Sequence, residues 1–386
     1  MAHSKNTNEL KYYSYDKILA KNCKYSIIFG ERSNGKTFGA LKIALENYIK
    51  SGYKEQSAYI RRFEEDYKGK RGQSLFDGVI ASGVLKSLNT EWTGVKYFSS
   101  RWYLTKQSID GHIIMQDKPF MFGFALNTME HDKSSSYPNI TMVVFDEFIT
   151  RQYYLADEFV LFMNVLSTII RQRDNVRIFM LGNTVNKYCP YFKEMGLKHI
   201  SEMNPGDLDC YTYSDSKLTV AVEYSTMGNK KQTKASNPYF AFDNPKLQMI
   251  TGGAWELDIY PHLPYKYTPK DILFTYFIEF EEALLQCEII SLITEDGIPI
   301  CFTYIHEKTT PIKNADDIVF SPKYSPLPNH YRDMRRPINN LSTKIASFFR
   351  SDQVFYQDNE VGEIVRNYLI WCKNSIGCFK NKREEL

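Results

Sequence analysis

A glycine-rich stretch near the start of the chain has the residue types and spacing of a phosphate-binding loop. Gly30-Glu-Arg32-Ser33-Asn34-Gly35-Lys36-Thr37 fits GxxxxGK[ST] without a mismatch. In such a loop, backbone N–H groups and the N-terminus of the following helix point at phosphate oxygens. The lysine reaches the β- and γ-phosphates, and the hydroxyl after it ligates Mg²⁺. Gly30, Arg32, Ser33, Asn34, Gly35, Lys36 and Thr37 are therefore the candidate nucleotide-binding residues. ATP and Mg²⁺ are the expected cofactors.

A triphosphate site of this kind needs a carboxylate for Mg²⁺ and a group that acts on the attacking water. Ile140-Thr-Met-Val-Val-Phe145-Asp146-Glu147 supplies both. Asp146 is the candidate metal carboxylate beside Thr37, and Glu147 is the candidate base. Two adjacent acids after an apolar strand distinguish hydrolases from nucleotide kinases and small GTPases.

The elements that must hold these groups are legible around them. Residues 25–29 are an apolar run suited to a short buried strand. Phe38, Leu41, Leu45, Tyr48 and Ile49 then recur at helical spacing until Ser51-Gly52. The run before Asp146 is β-branched and aromatic, as in a parallel strand covered on both faces. The 110 residues between Lys36 and Asp146 leave room for at least one more strand between the two motifs. That separation suits an ATPase of the additional-strand, catalytic-glutamate type.

After the acidic pair, residues 157–170 form a second apolar helix, and residues 176–181 a further strand ending on Gly182-Asn183-Thr184. Asn183, at the tip of that strand, is placed to sense the γ-phosphate or the attacking water. Arg171 and Arg173 follow the helix. They suit either simple pairing of cations with a helix C-terminus or an arginine finger donated to a neighbouring subunit. The strand 58–60 leads into Arg61-Arg62, with Lys68, Lys70 and Arg71 beyond. Glu64, Glu65 and Asp66 interrupt that cluster, which reads either as a solvated mixed-charge segment or as Arg61 facing the nucleotide followed by a DNA-tracking loop.

Net charge is +3 from 48 Lys+Arg and 45 Asp+Glu, which excludes a protein that coats polyanions by gross charge. The charge is uneven: residues 1–200 carry 28 basic and 20 acidic side chains, residues 201–386 carry 20 and 25. Hydrophobic content of 43% and aromatic content of 15% are ample for packed cores. The seven cysteines, at 23, 189, 210, 287, 301, 372 and 378, form no CxxC pair and suit free thiols in a reducing compartment. No apolar run reaches the roughly 18 residues of a membrane helix, and the first residues carry no apolar signal core. The expectation is a soluble intracellular protein with no membrane partner.

Together these residues resemble the DNA-encapsidation ATPases of small short-tailed, protein-primed bacteriophages, and more distantly the large terminases. The most distinctive stretch is Lys133-Ser-Ser-Ser-Tyr137-Pro138-Asn139 leading into the strand that ends on Asp146-Glu147. Tyr59-Ile60-Arg61-Arg62, Arg32 in the phosphate loop, Arg171-Gln-Arg173 and Leu181-Gly182-Asn183 also fit the family pattern. The resemblance is good over residues 10–200 and faint beyond. It implies a homomeric ring, usually a pentamer, seated on the portal of a prohead and driving double-stranded DNA inward with ATP. It also implies a trans-acting role for Arg171, a second inter-subunit role for Lys133, and pairing of Arg61 with Glu147. The implied setting is the host cytoplasm, transiently on the prohead and absent from the mature virion, with a structural RNA as a further possible partner.

The fold class expected is α/β: a P-loop NTPase with a mostly parallel sheet over 1–224, a small linker subdomain over 225–262, and an RNase H-like α+β domain over 263–386. Residues 229–238 read as polar linker. Residues 272–280, 284–293 and 298–305 read as strands, the last two joined by a turn at Glu295-Asp296-Gly297, with a closing helix over 360–373. A nuclease of that fold needs three or four converging carboxylates. Its first strand here has no aspartate and one poorly placed glutamate, Glu279, so a nuclease-inactive docking or DNA-gripping module is expected. Two alternatives stand beside the motor reading: a full terminase with an active metal-dependent nuclease, and a non-motor nucleotide-binding scaffold.

Overall fold

The computed structural model describes residues 12–128, 136–150, 154–155, 157–214, 216–226, 255, 260–294, 297–312, 314, 316–336 and 339–380. The chain divides into two compact units, Met1–Glu256 and Leu257–Leu386.

The first unit is built on a ten-stranded sheet. Its strands are β1 (Tyr25–Gly30), β2 (Gln56–Arg61), β3 (Gly94–Phe98), β4 (Arg101–Gln107), β5 (Ile113–Met115), β6 (Met121–Ala125), β7 (Ile140–Asp146), β8 (Arg177–Asn183), β9 (Leu208–Tyr213) and β10 (Leu218–Ser225). They lie in the order β3-β4-β6-β2-β7-β8-β1-β10-β9, with β5 paired to β4. From β6 to β10 every pairing is parallel, and the antiparallel pairings are at the two margins.

Parallel strands buried on both faces need apolar residues at every position. On β7, Val143 and Phe145 face one core while Met142 and Val144 face the other. Ile178 and Met180 of β8 share the first face; Phe179 and Leu181 share the second. The helix Glu158–Ile170 covers the first face through Phe162, Val165, Leu166 and Ile169. The helix Lys36–Lys50 covers the second through Ala40, Leu41, Ala44, Leu45 and Tyr48.

The 110-residue interval between the motifs does hold further strands: β2 and β6 on the far side of β7, and the antiparallel excursion β3–β5. The strand between β1 and β7 is β8, which follows β7 in sequence. Chain order and sheet order differ because a parallel crossover can return to either side of a strand.

The second unit carries a six-stranded sheet: β11 (Ile272–Phe280), β12 (Ala283–Ile293), β13 (Pro299–Glu307), β14 (Val319–Phe320), β15 (His330–Tyr331) and β16 (Val354–Tyr356), in the order β15-β14-β11-β12-β13-β16. β11, β12 and β13 form an antiparallel meander, while β14 runs parallel to β11 and β16 parallel to β13. Helix Asn340–Arg350 comes between β15 and β16 in sequence, and helix Asn359–Lys380 follows β16. Most of the segment 225–262, expected as a linker subdomain, lies outside the described residues, as do 229–238, Glu295 and Asp296. Among the described residues no helix is long and apolar enough to cross a membrane.

Candidate nucleotide site

β1 delivers the chain to the phosphate loop at Gly30, whose backbone runs so close to β10 that an added Cβ would lie 2.4 Å from the Ser225 carbonyl oxygen. Gly35, at φ +92°, makes the left-handed turn into the helix that begins at Lys36. Asn34, 1% exposed, braces the loop by donating from Nδ2 to Ser225 Oγ at 2.9 Å. The N-terminal segment ties down the other side: Tyr13 N–H donates to the Asn34 carbonyl at 2.8 Å, and the Tyr15 hydroxyl to the Lys36 carbonyl at 2.5 Å. Arg32 and Ser33 are exposed at the loop tip.

The Lys36 ammonium is folded into this loop. Nζ donates to the Glu31 carbonyl at 2.7 Å, to Asn34 Oδ1 at 3.2 Å and to Asn183 Oδ1 at 3.3 Å. Asn183, at the end of β8, is thus brought to the phosphate loop. Burial lowers the Lys36 pKa to about 8, against the pull of the Asp146 and Glu31 carboxylates. From pH 8 up to the ordinary lysine range, the folded chain binds fewer protons here than the unfolded chain. The protein without nucleotide therefore gains stability as pH rises across that window. Phosphate oxygens would restore the charge, so nucleotide binding near pH 8 should be accompanied by proton uptake. Calorimetry in buffers of different ionisation enthalpy measures this, and binding without proton uptake at pH 8 would contradict the placement of Lys36 on phosphate.

At the end of β7 the two acids have different settings. Asp146 is 6% exposed and accepts from Thr37 Oγ1 at 3.0 Å and from the Tyr59 hydroxyl at 2.9 Å. Burial and the Asp146 charge hold the Tyr59 phenol well above its ordinary pKa, so it stays a donor. The Glu147 side chain is about half exposed, and its backbone sits at φ +58°. Arg61 Nη2 meets Glu147 Oε2 at 2.5 Å, while Nη1 lies 3.7 Å from Asp146 and Nη2 lies 3.6 Å from Asp66. Arg61 Nε is buried without a hydrogen-bond partner. Lys68 pairs with Glu64 at 3.1 Å and Arg71 approaches Asp66 at 3.8 Å, so this part of the basic cluster is engaged locally.

Arg171 and Arg173 part company. Arg171 is exposed just past the helix Glu158–Ile170, at φ +52°. Arg173 instead donates to the carbonyls of Tyr137, Pro138, Ile140 and Ile169 at 2.6–3.1 Å. It fastens the Tyr137-Pro138 lead-in of β7 to the end of the helix, which is a structural task. Tyr137 also packs its ring 5.1 Å from Phe124. Lys133 lies outside the described residues.

The residues of the sequence motifs thus meet in one place, at the C-terminal ends of β1, β7 and β8. Residues 7–205, just over half the chain, match the family described as podovirus DNA encapsidation protein (Gp16). The chain belongs to that family. The DNA packaging protein of Bacillus phage phi29 is 29% identical over 188 residues, 48% of this chain and 48% of the relative. That of Bacillus phage B103 is 29% identical over 187 residues, 48% of this chain and 50% of the relative. The match thus spans about half the length of these curated relatives. A solved structure of the bacteriophage Phi-29 viral genome packaging motor assembly aligns over 92% of this chain and 96% of its own, with a TM-score of 0.51 at 18% identity. The likeness to that motor subunit is one of fold.

Sequence reasoning missed Arg62, which is 6% exposed. It pairs with Glu158, 2% exposed, through Nε–Oε2 at 2.7 Å and Nη2–Oε1 at 2.8 Å. The available signal was strand periodicity: adjacent arginines at the end of a buried strand must point to opposite faces. Removing one member of such a buried pair costs about 3–5 kcal/mol, because the other charge is left uncompensated.

Proposed function

We propose that the chain is the ATP-hydrolysing subunit of a motor that translocates double-stranded viral DNA into a preformed capsid, working as a homo-oligomeric ring on the portal. The observation that carries this reading is the convergence of Lys36, Thr37, Asp146 and Glu147 at the C-terminal ends of the central strands, in a chain of the DNA encapsidation family. The names of its relatives, DNA packaging proteins and a genome packaging motor, agree with it.

In this reading the loop amides and Lys36 bind the triphosphate. Thr37 Oγ1 and Asp146 Oδ1, 3.0 Å apart, are hard oxygen donors of the kind Mg²⁺ takes together with substrate phosphates. A Mg²⁺ ion held there would supply charge neutralisation for the phosphates. Glu147 orients the attacking water and accepts its proton. Arg61 holds the Glu147 carboxylate, and exchange of that pairing is the proposed link between DNA contact and hydrolysis. Asn183 senses the γ-phosphate through its place beside Lys36. Arg171 acts on the neighbouring subunit's nucleotide, with Lys133 as a second inter-subunit group.

The proposed divisions are an ATPase domain over 1–224, a linker subdomain over 225–262 and an RNase H-like domain over 263–386. The order β13-β12-β11-β14-β15, with β14 parallel to β11, supports the last of these. The acids central to its first two strands serve separate contacts: Glu279 pairs with Lys323 at 2.7 Å, and Glu288 accepts from Tyr267 at 2.7 Å and lies 3.5 Å from His306. Those contacts favour a docking or DNA-gripping module over a nuclease. A pentameric ring, a structural RNA, and action in the host cytoplasm on the prohead complete the proposal.

Double-stranded DNA should stimulate ATP turnover, and the stimulation should fall steeply with salt, since each phosphate contact adds about −0.9 to the slope of log affinity against log salt. Turnover assays from low to physiological salt test this; a flat response would remove the DNA-tracking part of the proposal.

A further inference from the structure

We propose that Arg62 is a positioning residue for hydrolysis, setting the backbone turn that presents Glu147. The proposal rests on the catalytic assignment of Glu147 made above. Glu147 is a non-glycine residue in the left-handed region, at φ +58°. Such conformations persist only where the surroundings over-determine them.

Here every backbone polar group of the turn is held. Glu147 N–H donates to Asp146 Oδ1 at 3.1 Å, and Phe148 N–H to the Leu181 carbonyl at 3.2 Å. Both carbonyls belong to Arg62: Nη1 donates to that of Glu147 at 3.2 Å and Nη2 to that of Phe148 at 2.9 Å. The guanidinium is itself fixed by Glu158 and stacks 5.1 Å from the Tyr154 ring centroid. Glu158 in turn accepts from Leu155 N–H at 2.7 Å and from the Tyr191 hydroxyl at 2.8 Å. Glu158 opens the helix whose other end leads to Arg171, so the turn bearing the proposed base is tied through one buried ion pair to the body that bears the proposed finger. A planar guanidinium is needed for this task, since an ammonium cannot bond a carboxylate and two carbonyls in one plane.

Arg62→Lys, which keeps the charge opposite Glu158, should lower kcat by about tenfold to a hundredfold, with nucleotide Kd changed less than about twofold. Glu158→Gln, nearly isosteric, should act in the same direction and provides the reading if Arg62→Lys does not fold. In a Glu147→Gln background neither substitution should lower turnover further. Tyr191→Phe, which removes one bond to Glu158 and none to the turn, should lower thermal stability and leave kcat unchanged. Wild-type kcat in either Arg62→Lys or Glu158→Gln overturns the proposal. A loss that multiplies with Glu147→Gln also overturns it, as does a kcat loss in Tyr191→Phe equal to that of Arg62→Lys. If Glu147→Gln itself turns over ATP at the wild-type rate, the catalytic assignment falls and this proposal with it. An inactive Glu147→Gln beside a fully active Arg62→Lys removes the positioning role alone.

Discussion

Glu147→Gln is expected to reduce ATP turnover by about 10²–10⁴-fold while nucleotide binding is retained. Gln keeps the size of the side chain but cannot accept a proton from water, and it replaces the charged pairing with Arg61 at 2.5 Å by a neutral contact. The phosphate loop is untouched, because Lys36, Asn34 and Thr37 are held by Asn183, Ser225 and Asp146. The variant should therefore trap bound ATP. Steady-state turnover and binding of a fluorescent ATP analogue separate the two effects. Wild-type turnover in this variant would mean that another group activates the water.

Arg171→Ala should abolish turnover in a uniform ring, by about 10³–10⁵-fold if the guanidinium completes a neighbour's site. Mixing it with Lys36→Ala subunits, which cannot hold phosphate but keep Arg171, should restore part of the activity at intermediate ratios. No rescue at any ratio would place the arginine in its own subunit's chemistry or outside it. The choice of Arg171 over Arg173 is physical. Arg173 holds four backbone carbonyls, and moving it to a neighbour would leave them without their donor. Arg171 stands exposed, at φ +52°, where the chain leaves the helix.

The phosphate loop, the Asp146-Glu147 pair and the helices after each were legible because their chemistry is local: a glycine turn, a buried apolar run and a helical period each fit within a short window. What escaped the sequence depends on residues far apart. The placement of β2 and β6 beyond β7, and of β10 beyond β1, is set by how crossovers pack, which no single segment records. Spacing alone does not separate Arg173 from Arg171, because its partners Tyr137, Pro138 and Ile140 lie more than thirty residues away. The two- and three-residue strands β14, β15 and β16 are too short for periodicity to mark. Arg62 was hidden by its neighbours: beside Glu64, Glu65 and Asp66 it read as part of a solvated charge cluster, yet it is buried against Glu158.

The uneven charge takes on meaning beside this geometry. The excess of positive charge lies in residues 1–200, which carry the candidate nucleotide site, while residues 201–386 are net acidic. The proposed motor would grip DNA and release it each cycle, and a modest positive excess suits release better than a uniformly basic surface.

The most direct test of the account is ATP turnover by the purified full chain with and without double-stranded DNA, at low and physiological salt. The account predicts turnover that DNA accelerates and salt suppresses, lost together with Glu147. ATP hydrolysis that ignores DNA at every salt concentration, or that survives Glu147→Gln unchanged, would contradict it.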